Sequence, residues 1–277
     1  MIVIATCDEY PRGNAATQLL VDALHGAGAQ VQTCPWTQED QQVFVQAEVV
    51  LPLCVWDYAH KPQELAQWVR SVPKLQNPAD VILENMDKRY LVKLGALGVK
   101  VPPTFDMSGH DGAQVACVMR DQGWAEAVLK PACGQGGVGV MRLTPETAQA
   151  LEDVQDGMLL QPYLADVVTR GETCIYFIGG RFSHAIRRNT AEGDWRANGR
   201  FGCTIEAVDV PQVIIARGEE VLRKLPSMPL YARQDGILAE DGFTLTELEM
   251  IEPNFYFDTC PQAVDMFARA ILEIASH

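Results

Sequence analysis

Residues 129–140 read Leu-Lys-Pro-Ala-Cys-Gly-Gln-Gly-Gly-Val-Gly-Val. Gly134, Gly136, Gly137 and Gly139 crowd into this short stretch, so the main chain can approach a ligand without Cβ atoms in the way. Gln135 lies among them, and Lys130 adds a point charge just upstream. An apolar strand, Ala127 to Lys130, leads in, and a second, near Val138 to Leu143, leads out. Such a hairpin either caps phosphates or serves as a structural turn. A Walker loop is excluded because no Gly-Lys-Ser/Thr follows, and a dinucleotide fingerprint needs a helix where this loop runs into strand.

Upstream, a strand (Ile2 to Cys7), a helix (Asn14 to Gly28), a strand (Ala29 to Cys34), a third apolar run (Val49 to Cys54) and a helix (Pro62 to Val69) make a βαβ opening. Asn77-Pro78 marks a turn. The spacing then predicts a single helix over Val81 to Gly98, ending before Val101-Pro102-Pro103-Thr104. Downstream, strands are expected at Met158 to Tyr163, Glu172 to Ile178, Arg181 to Arg187, Tyr231 to Ala239 and Phe243 to Ile251, with helices over Val210 to Lys224 and from Pro261 onward. No internal repeat is present.

Two clusters carry chemistry besides the glycine loop. In Glu247-Leu248-Glu249-Met250-Ile251-Glu252-Pro253-Asn254, strand parity sends Glu247 and Glu249 to one face, with Asp235 available from the preceding strand. Three gathered carboxylates cannot all stay ionised without cations, and oxygen ligands of this kind suit Mg²⁺; a solvated acidic strand is the plainer alternative. Parity puts Glu252 on the opposite face, as a reserve ligand only. The second cluster is cationic: Arg187-Arg188, then Arg196, Asn198 and Arg200, and Arg233 two residues before Asp235. It suits a phosphate or a substrate carboxylate, or else forms surface ion pairs.

A formal charge of −14 over 277 residues excludes duplex nucleic acid and anionic membrane as partners, leaving a small molecule. The eight cysteines show no Cys-x-x-Cys pair, so reduced thiols are expected, and Cys133 reads as a small filler in the loop. The opening MIVIATCDEY lacks the basic flank and long apolar core of a signal peptide, and the compartment is read as cytoplasm. His184 reads as packed within a strand or touching substrate. No serine nucleophile elbow supports a hydrolase. Trp56-Asp57-Tyr58 either reaches an acceptor site or closes the first unit.

The order of these features resembles the ATP-grasp superfamily: a Lys at a helix start, a strand Lys before a glycine loop, the hinge Leu159-Leu160-Gln161-Pro162-Tyr163-Leu164, an Arg/Asn segment, then Asp and two acidic groups. Finer wording is similar to the cycloserine synthetases (O-ureido-serine cyclo-ligases): Trp56-Asp57-Tyr58, Asn77-Pro78-Ala79-Asp80, Asn85 to Leu91, Pro102-Pro103-Thr104 and Glu247 to Pro253. The resemblance covers nearly the whole chain. It implies an α/β fold with α+β elements: a Rossmann-like pre-ATP-grasp subdomain (1–84), a small subdomain with the glycine lid (85–163) and a C-terminal subdomain with the metal site (164–277).

The resemblance also implies roles. Lys88 and Lys130 contact ATP phosphates, Gly134 to Gly139 close over them, and Gln161, Tyr163 and Leu164 line the adenine slot. Asp235, Glu247 and Glu249 hold two magnesium ions. Arg196, Asn198, Arg200 and Arg233 neutralise the γ-phosphate or hold the acceptor carboxylate. The superfamily often has Asn where Glu249 stands, so Asn254 or Glu252 is an alternative ligand, and Glu where Gln161 stands. The implied activity is an ATP-dependent carboxylate–amine ligase acting through an acylphosphate on a small amino-acid-like molecule. Ring closure and two-molecule coupling both remain open, as do a nucleotide-binding protein without turnover, a phosphotransferase, and a homo-oligomeric state.

Overall fold

A computed structural model describes residues 1–276. The N-terminal unit comprises β1 (Ile2–Thr6), α1 (Ala15–Gly26), β2 (Val31–Pro35), α2 (Gln42–Val45), β3 (Val49–Leu51) and α3 (Pro62–Ser71). Its parallel sheet runs β2-β1-β3. β1 and β3 are fully buried, which is why they read as unbroken apolar runs rather than alternating ones. Asn14 caps α1 by accepting the Thr17 N–H at 2.9 Å, worth about 1 kcal/mol. The same side chain donates to Asn254 Oδ1 at 3.3 Å, tying the first helix to the far end of the chain.

Two short helices follow, α4 (Ala79–Asn85) and α5 (Tyr90–Ala96), where the sequence predicts one. The break has a local cause. Asp87 Oδ1 accepts the Arg89 N–H at 2.9 Å, the kind of side-chain bond that competes with helix, and the Lys88 N–H leaves the helical ladder to reach Ala132 O at 2.9 Å. Lys88 is thereby turned toward the glycine loop.

The middle unit holds β4 (Phe105–Asp106), α6 (Gly112–Asp121), β5 (Ala127–Pro131), β6 (Met141–Leu143), α7 (Pro145–Gln149) and β7 (Met158–Pro162). Its antiparallel sheet is ordered β4-β7-β5-β6. The last unit contains α8 (Asp166–Arg170), β8 (Glu172–Ile178), β9 (Arg181–Asn189), β10 (Thr204–Ala207), α9 (Gln212–Arg223), β11 (Tyr231–Ala239), β12 (Gly242–Glu249) and α10 (Gln262–Ala275), with sheet order β10-β9-β8-β11-β12.

Packing crosses the expected divisions at 84/85 and 163/164. α5, assigned by sequence to the middle unit, buries Tyr90, Leu91 and Leu94 against Ile175, Phe177, Leu245 and Leu248 of the five-stranded sheet. Tyr90 Oη both donates to Leu248 O and accepts the Leu248 N–H. α10 in turn leaves its own unit: Phe267, Ala268 and Ile271 share a core with Ile2, Ile4, Leu20 and Leu24. Apolar faces, not chain order, decide both placements. The middle unit keeps a core of its own around Val115, Met119, Leu129 and Leu160.

Candidate active site

β11 and β12 build the floor. In their register Arg233 lies opposite Glu249 and Asp235 opposite Glu247. Pairing then slips between Asp235 and Gly236, from Glu247 to Leu245, so Thr246 is bulged out. Gly236 permits this, since a Cβ there would run into Thr244 O. The bulge puts Thr246 into the same cleft as Glu247 and Glu249, and Thr246 Oγ1 donates to Glu172 Oε1 at 3.3 Å.

One oxygen each from Asp235, Glu247 and Glu249 lie within 4.8 Å of one another. Asp235 is fully buried, with Arg233 Nε at 2.7 Å and Arg188 Nη2 at 2.6 Å. Arg188 continues to Glu172 at 2.6 Å, and Arg233 continues to Glu249, giving one chain of alternating charge: Glu172, Arg188, Asp235, Arg233, Glu249. Burial pushes the Glu249 carboxyl well above the usual range; Arg233 opposes the shift while Asp235 and Glu247 add to it. Glu247 is the reverse case. Burial disfavours its anion, yet Lys88 at 3.2 Å and Lys130 outweigh burial and hold its carboxyl low. An all-oxygen cluster in which carboxylates converge and burial raises one of them fits a hard divalent cation, and Asp235, Glu247 and Glu249 are the residues that could hold magnesium.

The roof is the lid. Gly136, Gly137 and Gly139 adopt left-handed backbone at φ +59°, +72° and +71°, which side chains resist. At Gly137 a Cβ would lie 2.8 Å from Asn198 Oδ1 and 2.9 Å from the Phe201 ring, so the lid presses on the loop that follows β9. Lys88 Nζ ties the lid to the floor through Gly134 O and Glu247. Burial brings the Lys130 ammonium down to about 8, with Glu247 opposing and Lys88 adding to the shift.

Between floor and roof runs a cleft of about 180 Å³, open to solvent. Lys88, Lys130, Gly134, Gln135, Gly136, Gly137, Gln161, Tyr163, Leu164, Arg196, Asn198, Glu247 and Glu249 all line it. Val128, Val140, Ile237 and Trp195 supply apolar walls. Tyr163 is stacked under the Arg142 guanidinium at 3.8 Å and meets Trp195 edge-on, and Gln161 Nε2 donates to Thr104 Oγ1 at 2.8 Å.

Other expected site residues stand elsewhere. Arg200 is exposed, passes beside Gly136 and does not line the cleft. Arg233 and Asp235 lie beneath the cleft; Arg233 acts through its ion pairs, while Asp235 also brings one oxygen to the carboxylate group. Arg196 lines the cleft with its guanidinium held by Asp194 at 2.8 Å and 3.5 Å above the Phe201 ring. Asn254 Oδ1 takes the Asn14 amide and the Tyr256 N–H. Glu252 was placed by parity on the far face, but β12 ends at Glu249; burial, opposed by Lys88, brings its carboxyl up to about 7. Asp57 is engaged by Trp36 Nε1 and Lys61, which closes the first unit. His184 is packed, not catalytic: it stacks on Tyr176 at 4.1 Å, with Nε2 2.8 Å from Phe255 O. Sequence reasoning missed Glu172 and Thr246, and named Arg188 only as a member of the cationic cluster. Arg188 lines the cleft, is buried, and its Nε has no hydrogen-bond partner among the described residues. Glu172 and Arg188 are cross-strand partners, a pairing invisible until β8 and β9 are in register.

Residues 101–254 match the family model of the prokaryotic glutathione synthetase ATP-grasp domain, more than half of the chain. The chain belongs to the ATP-grasp family. Residues 2–78 of this ATP-grasp chain match a second model, the N-terminal domain of D-cycloserine synthetase DcsG. Among curated proteins it is similar to the cycloserine biosynthesis protein DcsG of Streptomyces lavendulae, 30% identical over 185 residues, covering 61% of this chain and 60% of that one. It is also similar to a probable alpha-L-glutamate ligase of Teredinibacter turnerae, 30% identical over 138 residues, covering 48% of this chain and 45% of that one. The matched stretches thus span about half of the relatives' own lengths. The crystal structure of D-cycloserine synthetase DcsG superposes with a TM-score of 0.85 at 25% identity, covering 99% of this chain and 100% of that one. No helix among the described residues is long and apolar enough to cross a membrane.

Proposed function

We propose that the protein is an ATP-dependent ligase that activates the carboxylate of a small amino-acid-like substrate and joins it to a nitrogen. The observation that carries this reading is the pairing of a cation-lined, glycine-roofed cleft with three converging carboxylates directly beneath it. Together they fit a nucleotide polyphosphate with its metal.

Lys88 and Lys130 would hold ATP phosphates, with Tyr163, Leu164 and Gln161 around the base. Bound magnesium would neutralise phosphate charge at Asp235, Glu247 and Glu249. A substrate carboxylate oxygen would attack the γ-phosphorus as the bond to ADP breaks, giving an acylphosphate. The nitrogen would then attack the acyl carbon, phosphate would leave with the bonding electrons, and the nitrogen would lose a proton. No enzyme nucleophile is needed; positioning and charge neutralisation by Lys88, Lys130, Arg188 and Arg196 do the work. The lid would keep water from the acylphosphate, which would otherwise hydrolyse.

The likeness of residues 2–78 to the cycloserine synthetase N-terminal domain favours ring closure within one molecule over coupling of two. The test is ADP and phosphate release from Mg-ATP across amino acids and O-ureido-serine, with mass detection of products. Substrate-dependent ADP with a dehydrated product supports the ligase, and a cyclic product formed from a single substrate molecule supports ring closure. ADP release with a stable phosphorylated product, or none with any substrate, overturns it.

A further inference from the structure

β12 is an edge strand of the five-stranded sheet, so the backbone groups of Leu248 and Met250 that point away from β11 have no neighbouring strand to pair with. Side chains take its place. Leu248 O accepts from Asn85 Nδ2 at 2.7 Å and from Tyr90 Oη at 2.9 Å, and the Leu248 N–H donates to Tyr90 Oη at 2.8 Å. The Met250 N–H donates to Asn85 Oδ1 at 2.8 Å. Asn85 and Tyr90 are 7% and 6% exposed, and both spend their polar atoms on this one stretch of backbone.

The place of this clamp in the chain tells what it holds. Leu248 stands between Glu247 and Glu249, two of the three carboxylates whose oxygens lie within 4.8 Å of one another. Asn85 is the last residue of α4 and Tyr90 the first of α5. Lys88 leaves the chain between them and reaches Glu247 at 3.2 Å. Burying an edge strand asks only for an apolar face, which Leu91 and Leu94 already supply against Leu245 and Leu248. Hydrogen bonds to both backbone groups of Leu248 do more: they fix its dihedrals, and with them the direction of the carboxylates on either side. Lys88 has anchors of its own, its N–H on Ala132 O and its ammonium on Gly134 O, so loss of the clamp would free β12 rather than Lys88.

We propose that Asn85 and Tyr90 are positioning residues that hold the metal ligands Glu247 and Glu249 in register with the phosphate-binding Lys88. This rests on the ligase reading above. It makes the break between α4 and α5 the joint at which the phosphate and metal halves of the site are set against each other.

The test measures how far magnesium strengthens binding of a non-hydrolysable ATP analogue, by calorimetric titration with and without the metal. Tyr90→Phe and Asn85→Ala are expected to cut that enhancement by about fivefold or more, the worth of the hydrogen bonds removed, while magnesium-free binding changes by less than about twofold. Leu94→Ala loosens the same cluster without touching the clamp; it should lower the melting temperature at least as much and leave the enhancement intact. An intact enhancement in either clamp variant overturns the proposal, as does an equal loss in Leu94→Ala, which would make the effect general loosening. A second measurement needs no variant. Coupling is reciprocal, so in wild-type protein magnesium with the analogue should slow amide exchange at Leu248 and Met250 beyond any change at Leu245, whose N–H is held on the same edge by Lys100 O at 2.9 Å. Uniform slowing, or none, overturns the proposal even if the variants fail to fold. The ligase reading fails separately: magnesium-enhanced binding without substrate-dependent ADP release removes the ligase and leaves the clamp.

Discussion

Arg188 lies 2.6 Å from Asp235, two residues that β8 separates in the sheet, and both are buried. The carboxylate at the base of the proposed metal site is therefore also a counter-ion for the fold. Asp235→Asn is expected to abolish substrate-dependent ADP release and also to lower stability by about 3–5 kcal/mol, because it leaves Arg188 and Arg233 under-compensated in the interior. Glu247→Gln should abolish ADP release at a smaller stability loss, about 1 kcal/mol, since Lys88 keeps Gly134 O. Urea denaturation beside the ADP assay separates the two, and full turnover in Glu247→Gln would refute the ligand assignment.

Gly137→Ala tests the lid. The new methyl meets Asn198 and Phe201 in a backbone conformation that itself disfavours alanine by about 1 kcal/mol. The KM for ATP should rise about tenfold while the melting temperature shifts little. An unchanged KM would mean the lid does not close on the nucleotide.

Gly236→Ala probes the bulge. A methyl pressed onto Thr244 O must undo the slip in register, at about 1–3 kcal/mol, and should turn Thr246 and Glu247 out of the cleft. Reduced stability and lost ADP release are expected together. Loss of stability alone would show that the bulge serves only the sheet.

His184 predicts a pH effect on stability. Burial, weakly opposed by Phe255 O, brings its imidazole down to about 4 from the ordinary 6.5. Between these values the unfolded chain binds more protons than the folded one. Stability should fall as pH drops through about 6.5 toward 4, by up to about 3 kcal/mol, with no contribution from this group above that window. Urea titrations at several pH values should show this slope reduced in His184→Gln; an identical slope would assign it to other groups.

The glycine loop, most strands and the parity of Glu247 and Glu249 were legible because they depend on local chemistry and a period of two, while the short strands β4 and β10 were not expected. What the sequence concealed depended on register. Thr246 joins the cleft only because the ladder slips at Gly236, and Glu172 only because β8 and β9 bring it beside Arg188. The split of the predicted Val81–Gly98 helix was hidden in part, since one of its two causes, the Ala132 carbonyl, lies far along the chain.

The shared core of α1 and α10 bears on how such proteins can be recombined. Grafting residues 2–78 from one relative onto another would seat a foreign helix against Phe267, Ala268 and Ile271, which are shaped to this one. The heritable module is thus discontinuous. Crossover points for functional chimeras should fall in pairs, one after the first sheet and one before α10, so that the two terminal helices are exchanged together.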